Sequence, residues 1–143
     1  MTEHKNAADR RFLDEAVRDM LAEGSGKLVD IIKISTTDPA FPHALLYPLT
    51  SAEIYGDQAD PQGDVCFVYQ VTNVGETHRQ CADMSDLTRR IMTHRGPNGA
   101  FLYPLVVEGC AVQNREVSLL GAIVTSGDNL FECADTYRVK AGV

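Results

Sequence analysis

The stretch from Cys66 to Arg90, CFVYQVTNVGETHRQCADMSDLTRR, constrains the fold more than any other part of the chain. It opens as a strand: Phe67, Tyr69 and Val71 alternate on one side, and Cys66 and Val68 make the other side apolar as well. Two apolar faces predict a central strand covered on both sides over at least its first half. Gly75 breaks the strand, and a helix starts almost at once. Thr77-His-Arg-Gln80 has the form of a capping box, with Thr77 as N-cap and Gln80 reaching back from the third helical position. Cys81, Met84, Leu87, Ile91 and Met92 then fall on one stripe, while Asp83, Asp86, Arg89, Arg90 and Thr93 lie away from it. Asp86 and Arg90 stand four apart as a favourable pair, and Gly96-Pro97 stops the helix. A well-capped helix therefore folds straight back over the strand before it.

The rest of the chain supplies elements to pack around that unit. Residues 9–23 place Phe12, Leu13, Ala16, Val17, Met20 and Leu21 at helical spacing, with Arg11, Asp14, Arg18 and Asp19 opposite. Gly24 ends this helix, and the GSG that follows is a flexible turn. LVDIIKIS (28–35) reads as a strand, TTDPAFP (36–42) as a loop, and ALLYPL (44–49) as a second strand. Pro48 has no N–H, which favours an edge position or a strand end. SAEIYGDQADPQGD (51–64) reads as an exposed acidic loop between paired strands. AFLYPLVV (100–107) and CAVQNREV (110–117) are strand-like. NLFECADTYRVK (129–140) turns Phe131, Cys133, Tyr137 and Val139 inward, and Asp135 interrupts that row, which predicts a bulge or a polar contact. The expected fold is α+β, with two helices packed on one face of a mostly antiparallel β-sheet. It forms a single domain over residues 1–143, with a flexible polar N-terminus over about 1–8.

Charge and cysteine usage narrow the function classes. Thirteen Lys and Arg against twenty Asp and Glu leave a net charge of −7, whereas free-standing nucleic-acid binding needs a basic face to neutralise phosphates. The polar start MTEHKNAADRRFLDE carries no signal-peptide apolar region. No apolar run approaches the ~20 residues that span a bilayer, so no membrane partner is expected. Cys66, Cys81, Cys110 and Cys133 are far apart with no C-x-x-C pair, the pattern of reduced, packed thiols in a protein made in the cytosol.

Candidate chemistry is sparse. His78 and Cys81 are three apart on the second helix, and a thiol–imidazole pair is one route to an activated nucleophile. Cys81 lies on the apolar stripe, His78 faces solvent at the first helical position, and no third group orients them. His4, His43, His78 and His94 have no partners at ligand spacing, so no metal site is expected. GSGK (24–27) follows a helix instead of leading a strand into one, which rules out a phosphate-cradling loop. The acidic loop lacks the spacing of a calcium-binding hand. No catalytic residue, cofactor or metal is expected.

The segment SLLGAIVTSG (118–127) is apolar without a clean period. Leu119, Leu120, Ile123 and Val124 form either a buried strand or a projecting arm covered by a neighbouring subunit. Edge strands offer the same opportunity for ring formation.

VYQVTNVG (68–75), followed by a polar helix carrying Gln80 and the Arg89-Arg90 pair, resembles the tail-terminator proteins of long-tailed bacteriophages. The YPL at 47–49 ahead of the acidic loop, the GAFLYPL at 99–105 and the F-x-x-x-x-x-Y-x-V strand at 131–139 extend the resemblance over about residues 38–140. The apolar 118–124 segment departs from the polar, Gly/Pro-rich loop of that family.

The resemblance implies a structural virion protein without turnover. It implies a ring, of six subunits, at the head-proximal end of the tail tube, which stops tube growth and provides the head-docking surface. The implied partners are further copies of the chain, the tail-tube protein, head-tail connector proteins, and genomic DNA passing through the lumen without specific binding. The implied location is the virion, in the tail neck, after assembly in the host bacterial cytoplasm. Leu119, Leu120, Ile123 and Val124 become the expected oligomer interface. Asp57, Asp60 and Asp64 become the expected channel lining, where acidic groups repel phosphates and let DNA slide. A head-completion or head-tail connector protein is the alternative within the neck. A small cytosolic enzyme using Cys81 and His78 is the alternative from another class.

Overall fold

The computed structural model describes residues 10–26, 28–30, 41–54, 65–107, 111–127 and 129–142. Along the chain the elements are α1 (Arg10–Ser25), β1 (Leu28–Asp30), β2 (His43–Ile54), β3 (Val65–Gly75), α2 (His78–Thr93), β4 (Ala111–Leu119), β5 (Val124–Thr125) and β6 (Phe131–Gly142). The sheet runs in the order β1-β2-β3-β6-β4, with β5 also paired to β6. Among the described strands only the β1–β2 pair is parallel, and the other pairs are antiparallel. The architecture is α+β, with α2 packed over β3 and β6 and α1 packed against α2 and β1.

Strand β3 is central, and the sequence pattern explains why. Both Cys66 and Phe67 are buried although they face opposite sides, so the first half of the strand is covered twice over. Phe67, Tyr69 and Val71 pair across to Val139, Tyr137 and Asp135 of β6, and all of these except Asp135 form the sheet side of the core. Leu13, Val17 and Leu21 of α1 and Met84, Ile91 and Met92 of α2 close that core from above. Asp14, which the periodicity places on the outer side of α1, accepts a hydrogen bond from the Tyr69 hydroxyl at 2.5 Å. It ties the helix to the central strand.

The joint between β3 and α2 is tight for a steric reason. A Cβ on Gly75 would stand 2.6 Å from the backbone nitrogen of Cys81 and 2.9 Å from Cβ of Gln80. Only glycine lets the helix start so close to the strand. Thr77 caps as expected, its Oγ1 accepting from the Gln80 N–H at 3.1 Å. The Gln80 side chain reaches one residue further back than in the standard box, accepting from the Glu76 N–H at 2.8 Å. The helix ends at Thr93, with His94 as its C-cap. On the outer face the ion pair is Arg79 with Asp83 at 4.0 Å, instead of Asp86 with Arg90. Helix α1 runs to Ser25, and Gly26, at φ +67°, closes it by donating to the Ala22 carbonyl at 2.8 Å.

Further expectations are corrected. Residues 51–54 belong to β2 and not to the acidic loop. Pro48 stands inside β2 and not at a strand end, at the last pair before the β2–β3 ladder turns irregular: Pro48 pairs Tyr69 and Ala52 pairs Phe67, so four steps on β2 match two on β3. Residues 100–107 form no strand. Beyond the isolated bridge of Arg95 with Phe101, Pro104 cannot donate to a ladder, and Tyr103, Leu105 and Val107 serve the core as packing residues. Arg89, off the apolar stripe as expected, is half-buried and forms the main polar link from α2 to the sheet. Residues 31–40 and 55–64, including Asp57, Asp60 and Asp64, lie outside the described residues, as does Cys110.

Candidate assembly surface

The apolar segment after β4 is neither a buried strand nor a projecting arm. It continues the edge of the sheet. Leu119 stands opposite Thr136 and Val124 opposite Glu132, so five steps on the edge match four on β6. Two further register shifts precede it, between Val112 and Asn114 and between Val117 and Leu119. A repeatedly bulged edge twists away from regular ladder pairing, which discourages an indiscriminate strand from adding to it. The bulges also scramble the apolar alternation, which is why the segment shows no period in the sequence.

At the centre of the irregular stretch, Gly121 crosses directly over β6. A Cβ there would collide with the Ala134 carbonyl oxygen. Its N–H, displaced from the ladder, donates to Asp135 Oδ1 at 2.9 Å. Asp135 is fully buried and receives Arg89 in a two-pronged grip, Nε to Oδ2 at 2.8 Å and Nη2 to Oδ1 at 2.9 Å. The Asp135 hydrogen bonds and charge push the Arg89 pKa up further from its already high value. Cys133 completes the cluster, its thiol donating to the Gly121 carbonyl at 3.3 Å. One carboxylate thus fixes the α2 helix and the edge segment to the same point of β6.

The clamp leaves the apolar side chains outside. Leu119, Leu120 and Val124 are 64%, 52% and 57% exposed, Val117 adds to them at the helix-side rim, and Ile123 is half-buried. Antiparallel partners share a face, and Thr136 lies between the helix-facing Asp135 and Tyr137. Leu119 and Val124 therefore project from the side of the sheet that carries no helix. The described part of the chain supplies no cover for them, and a group of large apolar residues held rigidly on an edge has the character of a contact surface.

The Cys81–His78 pair takes the opposite character. Cys81 is completely buried, and its thiol donates to the Asn73 carbonyl at 3.4 Å. Burial, then the charge of Cys133, pushes its pKa up to about 11. A nucleophilic thiol needs the reverse, exposure and a depressed pKa. His78 is exposed and lies edge-on to Phe131, 6.0 Å between ring centres. The thiol and its neighbours instead form a satisfied polar layer under α2: Asn73 donates to the Cys133 carbonyl at 3.2 Å and accepts from Thr88 at 2.7 Å. Among the described residues no group of three or more His, Cys, Asp or Glu side chains converges on a metal position.

The sequence matches no protein-family model and no curated protein. In three dimensions the chain is similar to a component of the virion of a native gene transfer agent particle, with a TM-score of 0.67 and 10% sequence identity. The match covers 95% of this chain and 98% of that one. The fold is shared with a virion chain. A second solved chain superposes with a TM-score of 0.51 at 18% identity, over 91% of this chain and 92% of that one. Neither described helix is long and apolar enough to cross a membrane.

Sequence reasoning found Asp135 as an interruption but missed its partner Arg89 and the Gly121 contact. The signals were present. A glycine stands inside an otherwise apolar segment, and an arginine stands three residues before the stripe residue Met92 and two after Leu87.

Proposed function

We propose that this chain is a structural virion protein that acts at the head-proximal end of a phage-type tail. It stops tube growth there and provides the surface that docks to the head. The observation that carries the proposal is the end-to-end fold likeness to a virion chain, 95% of this chain against 98% of the other. Two further features support it. The motif order from Tyr47 to Val139 resembles tail terminators, and a clamped apolar edge at Leu119, Leu120, Ile123 and Val124 suits repeated contact between copies in a ring of six. Asp57, Asp60 and Asp64 would line the lumen past which DNA moves, with the chain's net charge of −7 keeping phosphates from adhering. The mechanism is then one of shape and adhesion: no bond is made or broken, and no cofactor takes part.

The proposal is tested with purified tail-tube protein from the same genome. Tubes polymerised with this chain present should stop growing at one end and carry it there, visible as a cap by electron microscopy. Unlimited growth of bare tubes, with the chain binding portal-side connector proteins instead, would reassign it to the connector side of the neck.

A further inference from the structure

A second feature of the fold lies away from the Leu119 edge. The side chains of Arg95 and Arg115 converge on one ring: each guanidinium carbon lies 4.0 Å from the centre of Phe101. Arg115 is only 3% exposed. Two of its nitrogens have contacts, Nη2 donating to the Tyr103 carbonyl at 2.7 Å and Nη1 touching Met20 Sδ at 2.7 Å, whereas its Nε has no hydrogen-bond partner. Arg95 is exposed and donates to the Gly99 carbonyl at 2.7 Å and to Asn114 Oδ1 at 3.0 Å. Neither arginine makes an ion pair among the described residues. Burial, and then the charge of Arg95, pulls the Arg115 pKa down to about 10. Two like charges on one ring, one of them buried, mark a place without a counter-charge among the described residues. Exposed Leu102 borders it, its N–H bonded to the His94 carbonyl at 2.9 Å.

We propose that this arginine–phenylalanine stack receives the acidic outer stripe of α1 from a second copy of the chain. That stripe carries Phe12, about half exposed, with Glu15, Asp19 and Glu23, all exposed. At 1.5 Å rise per residue the three carboxylates span roughly 12 Å of one helix face. The pattern matches the stack: an aromatic anchor for Leu102 and Phe101, and carboxylates for the guanidinium of Arg95 and the charge beneath it. Among the described residues none of the three carboxylates pairs with Arg95 or Arg115 of its own chain, and Glu15 and Asp19 lie on the side of α1 turned away from Met20, which touches Arg115. The contact is therefore between unlike surfaces, the head-to-tail kind that closes into rings or runs into filaments. An apolar residue flanking the charges favours a protein helix over a phosphate chain as the occupant. The inference holds for any assembly of this chain, whatever its place in a particle.

Sedimentation of the full chain across concentration, up to about 1 mM, tests it. Wild type is expected to self-associate, and added salt to weaken that association. Arg95→Glu, at an exposed site, and the double variant Glu15→Lys with Asp19→Lys are each expected to weaken it at least tenfold while keeping the circular dichroism of the fold. Combining all three substitutions in one chain should restore association, because each copy then carries both reversed surfaces. The proposal is overturned by a wild type that stays monomeric throughout, by unchanged association of Arg95→Glu, or by no recovery in the combined variant. Binding of a single-stranded oligonucleotide that is lost in Arg95→Glu, without self-association, would assign the stack to phosphates and also overturn it. Failure here is separate from failure of the tail-end role, since tube capping is read from tube length and not from self-association.

Discussion

Arg89 on α2 and Asp135 on β6 are joined by two hydrogen bonds of 2.8 and 2.9 Å, and the same carboxylate takes the N–H of Gly121 at 2.9 Å. This places one fully buried charge at the meeting point of helix, central sheet and exposed edge. The edge owes its fixed position to that charge, because its backbone leaves the ladder at Gly121 and finds the carboxylate instead.

Removing the two partners should not cost the same. Arg89→Ala strands a carboxylate in the interior, and breaking a buried pair in this way costs about 3–5 kcal/mol. Asp135→Ala frees an arginine that is already 29% exposed and can turn to water, so about 1–3 kcal/mol is expected, mainly from the orphaned Gly121 N–H. Urea unfolding of both variants gives the order directly. An Asp135→Ala loss equal to or above that of Arg89→Ala contradicts it.

The joint before α2 should tolerate no side chain at Gly75. Gly75→Ala pushes a methyl onto Cys81 N and Gln80 Cβ, an overpacking cost of about 1–3 kcal/mol. Thr77→Ala removes the cap bond to Gln80 and should cost about 1 kcal/mol. Thermal or urea unfolding measures both, and a neutral Gly75→Ala would refute the steric account.

Cys81 sets a pH dependence with a definite sign. Its folded pKa, pushed up to about 11 chiefly by burial, lies above the unfolded thiol value of about 8.5. Between these values the unfolded chain releases a proton that the folded chain keeps, so stability is full below about pH 8.5 and falls as pH rises toward 11. Cys133 is raised by burial in the same direction and adds to the fall. Native protein should resist iodoacetamide at both thiols at pH 8 and react once unfolded. Rapid alkylation of native Cys81 would restore the case for a reactive thiol.

Leu119→Asp, Leu120→Asp and Val124→Asp alter exposed positions, so each should leave unfolding free energy within about 0.5 kcal/mol of wild type. Each should also abolish incorporation into particles in a complementation assay. Destabilised folding, or normal incorporation, would remove these residues from the contact surface.

Much of this fold is legible in the chain because local signals agree. Thr77, Gln80 and Gly75 announce the helix start, and the alternation at Phe67, Tyr69 and Val71 announces the central strand. Legibility fails where tertiary geometry overrides period. Arg89 sits off the apolar stripe, yet its long side chain reaches sideways and down to Asp135, a contact set by sheet position and not by helix spacing. Residues 100–107 look like a strand because they are apolar, but they lie as an irregular strap whose Tyr103 carbonyl meets Arg115. The edge at 118–125 hides its strand character because its bulges cancel the two-residue repeat. Phe101 and Arg115 come together only through β4, so no spacing in the sequence reports their stack.

The most direct measurement is to disrupt this gene in the genome that carries it and image the resulting particles by negative-stain electron microscopy. The account predicts overlong tails beside unattached, DNA-filled heads. Tails of normal length with leaking or incomplete heads, or ordinary infectious particles, would contradict it.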